Sequence, residues 1–156
     1  MRKQVIMLLA IATMLTACNK QKQQTDLADN PFVHPSETYM NAPDFDKIKV
    51  EHFAPAFDEG MRQHNEEIAA IVENAEAPTF TNTIEALERA GQVLQRTSAV
   101  FFALTSADTN DELRAIEEEY VPKLTAHSDE IMLNDKLFAR IKTVYETGLE
   151  GLQPDQ

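Results

Sequence analysis

A chain of 156 residues has room for one domain, and 43% hydrophobic with 26% charged residues is the composition of a folded protein. Fourteen Lys and Arg against 26 Asp and Glu give a net charge of −12. That sign excludes a nucleic-acid partner and disfavours an anionic membrane surface, since both need a positive face. One cysteine allows no internal disulfide, so the core must hold by packing.

The first residues read as an address. Arg2 and Lys3 precede an uncharged apolar stretch from Val5 to Leu15, too short for the roughly 20 residues that span a bilayer. A basic start, a short apolar run and small residues before the break fit a secretory signal. The break, Leu15-Thr16-Ala17-Cys18, resembles the bacterial lipobox. That resemblance implies cleavage between Ala17 and Cys18 and a diacylglycerol thioether on Cys18. A multi-chain lipid anchors firmly, at about 0.8 kcal/mol per buried CH₂. The expected organisation is therefore a signal over 1–17, a polar flexible tether over 18–29, a Pro-rich lead over 30–46 and a helical domain over 47–156. The expected location is the cell envelope, membrane-anchored and facing the periplasm or the cell exterior.

In the lead, Pro31, Pro35 and Pro43 favour an irregular extended path, with Phe32, Tyr39 and Phe45 as expected anchors. Apolar residues then recur at Phe53, Phe57, Met61, His64, Ile68, Ile71 and Ala75, in helical steps of four and three. Glu59, Arg62, Glu66 and Glu73 lie off that stripe. Pro55 is tolerated near the helix start, and Ala77-Pro78 closes the unit. Asn82-Thr83-Ile84-Glu85 has the pattern of a capping box and predicts a second helix over 82–106. That helix carries two apolar stripes, one through Leu94 and Phe101 and one through Val93 and Val100, so it should be sandwiched. Gly91 inside it predicts a close helix crossing. Thr109-Asn110-Asp111-Glu112 opens a third helix with Leu113, Ile116, Tyr120, Leu124 and His127 on one face; Pro122 should kink or break it. Asn134-Asp135-Lys136 opens a fourth, with Phe138, Ile141 and Tyr145 inward and an end near Gly148 and Gly151. No segment alternates long enough to be a strand. The fold class is all-α.

Residues that could carry chemistry are few. A helical zinc site needs His-Glu-x-x-His, which brings two rings to one metal. His64-Asn65-Glu66-Glu67-Ile68 has Asn in place of the base and Ile in place of the second ligand. His52 and His64 are about 120° out of register on a helix. His34 stands beside Pro35, and His127 lies on an apolar helix face. All four histidines read as structural. Glu117-Glu118-Glu119 fans apart on a helix and reads as a solvated face. Cys18 lies in a signal without a positioned histidine. No catalytic residue and no metal ligand is identified in the chain.

Several blocks carry a more specific signal. Pro43-Asp44-Phe45-Asp46-Lys47-Ile48 and Glu51-His52-Phe53-Ala54-Pro55-Ala56-Phe57-Asp58-Glu59-Gly60-Met61 resemble the start of thimet-oligopeptidase-like metallopeptidases. Pro78-Thr79-Phe80-Thr81-Asn82-Thr83-Ile84-Glu85-Ala86-Leu87-Glu88 follows at the family's distance. Ala126-His127-Ser128-Asp129-Glu130-Ile131, Leu133-Asn134 and Leu137-Phe138-Ala139-Arg140 continue the likeness. Phe101-Phe102-Ala103-Leu104-Thr105-Ser106-Ala107 leans toward the bacterial peptidyl-dipeptidase branch, with oligopeptidase A as its near rival. The resemblance runs from about Asn30 to Tyr145. It implies the non-catalytic N-terminal lid and wall of a helical zinc peptidase that removes dipeptides from the C-termini of oligopeptides. It also implies zinc in the full-length enzyme, an oligopeptide substrate there, and a C-terminal catalytic part as partner. The competing expectation is a free-standing helical lipoprotein that binds peptides or a partner protein.

Overall fold

Helix α1 (Phe53–Val72) is the spine of the molecule, and every other long helix packs on it. The computed structural model describes residues 27–147. The expected signal, Cys18, the expected tether up to Asp26, Gly148 and Gly151 lie outside them. After α1 come a π-helical stretch, Phe80–Glu85, and the short α2 (Ala86–Arg89). Helices α3 (Gln92–Ala107), α4 (Asp111–Met132) and α5 (Asp135–Thr147) follow. Among the described residues there is no strand, and the fold is all-α.

The stripe predicted for α1 is buried at Phe53, Phe57, Ile68 and Ile71, with Ala56 and Gly60 beside it, because a 3.6-residue period brings these positions to one face. Ala75 lies beyond the helix end and is exposed. Two cores form along this face. Toward the N-terminal end, Phe53, Phe57, Phe101 and Tyr120 pack with ring centroids 5.1–5.2 Å apart, and Phe32 joins from the lead. Toward the C-terminal end, Ile68, Ile71, Ile131 and Leu137 make an aliphatic cluster.

Asn30, Phe32 and Arg96 tie the lead to the helices. Asn30 is buried, donates through Nδ2 to the His52 carbonyl at 2.8 Å, and accepts the Phe32 N–H at 3.0 Å. Arg96 donates to the Phe32 carbonyl. Of the three expected anchors only Phe32 is buried; Tyr39 is 87% and Phe45 60% exposed. Asn30 fixes the chain only around Phe32, and aromatic character alone did not reveal that.

The single helix expected over 82–106 is divided. Ala90 is extended (ψ 153°) and Gly91 is left-handed (φ 74°), so the chain leaves the helix and re-enters it at Gln92. A positive φ is nearly free for glycine and strained for other residues. The start also moves: Thr79, not Asn82, is the N-cap. Its side chain accepts the Asn82 N–H at 3.1 Å, and Asn82 Oδ1 accepts the Thr79 N–H at 2.8 Å. The close helix crossing lies at Gly60, where an added Cβ would come within 2.9 Å of the Leu94 backbone.

Helix α4 begins as predicted, with the Asn110 side chain accepting the Leu113 N–H at 2.8 Å and Asp111 and Glu112 in its first turn. Pro122 does not break it in two. Proline removes the N–H that the Glu118 carbonyl would accept, but both residues are exposed, so water can replace it. Asn134 opens α5 by accepting the Leu137 N–H. Its inward residues are Leu137, Arg140 and Val144, with Ile141 packed at the edge of the aliphatic cluster. Phe138 and Tyr145, expected inside, are 64% and 73% exposed. Arg140 takes the inward place because its guanidinium donates to the carbonyls of Asn74 (2.8 Å) and Glu76 and to Asn82 Oδ1 (3.2 Å). That clamps the loop after α1 onto α5.

Candidate functional site

Helices α3 and α4 touch each other little, and an open groove of about 650 Å³ lies between them, closed at one end by α5. Leu94, Ser98 and Phe102 line it from α3, Leu124 and Ile131 from α4, and Phe138 and Ile141 from α5. No Asp, Glu, Lys or Arg lines it, although 26% of the chain is charged. Met132 and Leu133 extend the apolar surface at the α4–α5 turn, 78% and 79% exposed. An open, uncharged apolar groove rimmed by further exposed apolar side chains makes this face the candidate interaction surface.

Two histidines lie at the groove. His64 comes from α1 and His127 from α4, with His64 Nδ1 and His127 Nε2 3.0 Å apart in a hydrogen bond and ring centroids 5.1 Å apart. Each sits on an otherwise apolar stripe, where an imidazole needs a partner for its polar edge. Burial pushes both rings below the ordinary imidazole range. His127 lowers His64 further, while Glu67 opposes the shift at His64 and Glu130 opposes it at His127. The Gly91 turn is fitted against the pair: a Cβ there would lie 3.0 Å from His64 Nδ1. One turn further along α1, Glu67 accepts the Gly91 N–H at 2.6 Å.

The other singled-out residues lie apart from the groove. His52 caps its own turn, its Nδ1 accepting the Lys49 N–H at 3.1 Å. His34 is exposed in the lead. Glu119 pairs with Lys123 across one helical turn, and Glu118 is exposed. Ala17 and Cys18 lie outside the described residues. Each histidine of the pair was placed on an apolar face by sequence, yet their meeting was missed. The usable signal was two lone polar rings on two core stripes, each in need of a partner.

Among the described residues, no group of three or more His, Cys, Asp or Glu side chains could hold a metal ion. The resemblance assigns zinc to the full-length enzyme and none to this chain; His64 and His127 bring two imidazoles together, short of the three protein ligands a zinc site uses. No described helix is long and apolar enough to cross a membrane.

No family model matches the chain. Over 120 residues, 77% of the chain, it is 48% identical to the dipeptidyl carboxypeptidase of Salmonella typhimurium. Over 117 residues, 75% of the chain, it is 48% identical to that of Escherichia coli. The chain is homologous to the N-terminal part of dipeptidyl carboxypeptidase. It spans 18% and 17% of the length of these two curated relatives. The homology agrees with the resemblance carried by the sequence blocks, and it makes the groove a surface of a segment that, in the relatives, is joined to a much longer chain.

Proposed function

We propose that the chain serves as the non-catalytic N-terminal portion of a zinc-dependent peptidyl-dipeptidase that removes dipeptides from the C-termini of oligopeptides. The observation that carries this reading is the 48% identity with two dipeptidyl carboxypeptidases. Their name supports the peptidyl-dipeptidase branch over oligopeptidase A. The groove supports the reading independently: an uncharged, open face between α3 and α4 is what a helical segment offers to a further part of the same fold. In this reading the catalytic remainder covers the groove and supplies the zinc ligands and the general base. A lipid on Cys18 holds the assembly at a membrane of the cell envelope, facing the periplasm or the exterior.

A graft tests the first part. Residues 30–147 placed over the matching segment of the Salmonella typhimurium enzyme should leave a peptidase that releases C-terminal dipeptides. The same graft carrying Phe138→Glu should lose assembly and activity, although Phe138 is exposed in the chain alone. A soluble, helical wild-type graft that cleaves nothing would count against the reading. For the anchor, mass spectrometry of the membrane fraction should find Cys18 diacylated and residues 1–17 gone. Soluble protein retaining Met1 would refute it.

A further inference from the structure

The groove has one feature that a purely apolar docking face does not need, a pair of titratable rings bonded to each other across two helices. We propose that His64 and His127 form a proton-operated latch, which admits the catalytic remainder of the peptidase to the groove when neutral and expels it when both rings are charged. This rests on the reading of the groove as a covered face.

The geometry gives the latch two steps. With both rings neutral, one facing nitrogen donates and the other accepts, and α1 is tied to α4. A first proton goes to the outer nitrogen of the donor ring and leaves the N–H···N bond in place. A second must enter the accepting nitrogen. It sets N–H against N–H only 3.0 Å apart, breaks the bond and places two like charges together. Both rings line the groove, so their charge falls on the surface that a covering segment would desolvate.

The surroundings favour the neutral pair without locking it. Glu67 from α1 and Glu130 from α4 are the charged groups that act on the rings, and both favour protonation. Glu67 also holds the Gly91 N–H. The α2–α3 junction meets His64 with Gly91, and α3 and α5 line the adjoining groove with Leu94, Ser98 and Ile141, none of which titrates. Burial outweighs the two carboxylates, so both rings lean toward the neutral form. Covering the groove removes more water and pushes both rings further toward neutrality. By linkage, acid must then weaken the hold of the remainder on the groove.

The test uses the full chain, with the neutral dye Nile red as the probe for the groove and proton NMR of the ring Cε1–H resonances for the pair. Two histidines should titrate with midpoints below the ordinary 6.5. His127→Gln should raise the midpoint of His64. Nile red should bind several-fold more weakly at pH 5 than at pH 7.5, since one unit of difference between covered and open pKa values gives at most about tenfold per ring. His34→Gln should keep that drop, and His127→Gln should reduce it to the part that His64 alone contributes. Should His127→Gln fail to fold, His64→Gln and the wild-type titration decide. Equal affinity at both pH values, or an undiminished drop in a folded pair variant, overturns the latch and leaves the groove reading standing. A chain that binds no Nile red at any pH removes the groove reading and the latch with it.

Discussion

Gly60 and Gly91 show two different reasons for a glycine. At Gly60 the backbone is ordinary helix, but an added methyl would lie 2.9 Å from both the Cα and the N of Leu94. The obstacle is backbone, which cannot swing aside, so Gly60→Ala should cost about 1–3 kcal/mol of stability by forcing α1 and α3 apart. Urea unfolding of the two proteins measures this; an unchanged midpoint would mean the helices cross more loosely than 2.9 Å implies. Gly91 is required instead by its left-handed φ of 74°. The histidine pair makes a second prediction at this scale. Both folded-state pKa values are lowered from 6.5, so the unfolded chain binds the extra protons. The stability from the neutral pair is complete above about 6.5 and is lost as pH falls through the lowered folded values. Glu59, lowered chiefly by its hydrogen bond to Arg62, gives a separate acid window that begins below 4.5. Unfolding free energy measured from pH 7.5 to 3 should therefore decline in two stages, and His64→Gln should shrink the upper one to the part that buried His127 contributes.

Pro122 sets a prediction for an element. Helix α4 continues through it, and both Pro122 and Glu118 are exposed. Nothing packed depends on the ring, so Pro122→Ala should restore a helical hydrogen bond and stabilise the protein by about 1–3 kcal/mol. Thermal unfolding followed by circular dichroism checks it, and a fall in the midpoint would assign the proline a packing role. Much of the element plan was legible in the sequence. The stripe from Phe53 to Ile71 marked α1, and Asn110 and Asn134 marked two helix starts, because capping and periodicity are local physics. The break at Ala90–Gly91 was not legible. It depends on Glu67 and His64 arriving from another helix, and a lone glycine within a helical pattern is ambiguous. The inward face of α5 was misread because Arg140 competes with Phe138 for the core. It wins through three acceptors near residue 80 that no local pattern reveals. The His64–His127 contact spans 63 residues and was hidden for the same reason.

At the scale of the whole molecule, burial is lopsided. The aromatic core and the aliphatic cluster are both organised by α1, and α3 buries Val93, Thr97, Val100 and Phe101 toward them. Its other side, with Leu94, Ser98 and Phe102, faces the groove. The expectation of a two-sided helix sandwiched between others is met on one side only among the described residues. An apolar groove of about 650 Å³ beside Met132, Leu133 and Phe138 leaves hydrocarbon in water, at roughly 25 cal/mol per Å² relative to covering it. Association is the available relief when no covering segment is present. The isolated chain should thus show strong helical circular dichroism, bind a hydrophobic dye, and sediment with an average mass that rises with concentration. Met132→Glu and Phe138→Glu together should return it to a monomer across the same range. Both side chains are more than 60% exposed, so the melting temperature of the dilute protein should stay within a few degrees of its original value. A wild-type chain that sediments as a dye-silent monomer at every concentration would mean that the groove needs no cover. The free-standing binding lipoprotein would then be the better account.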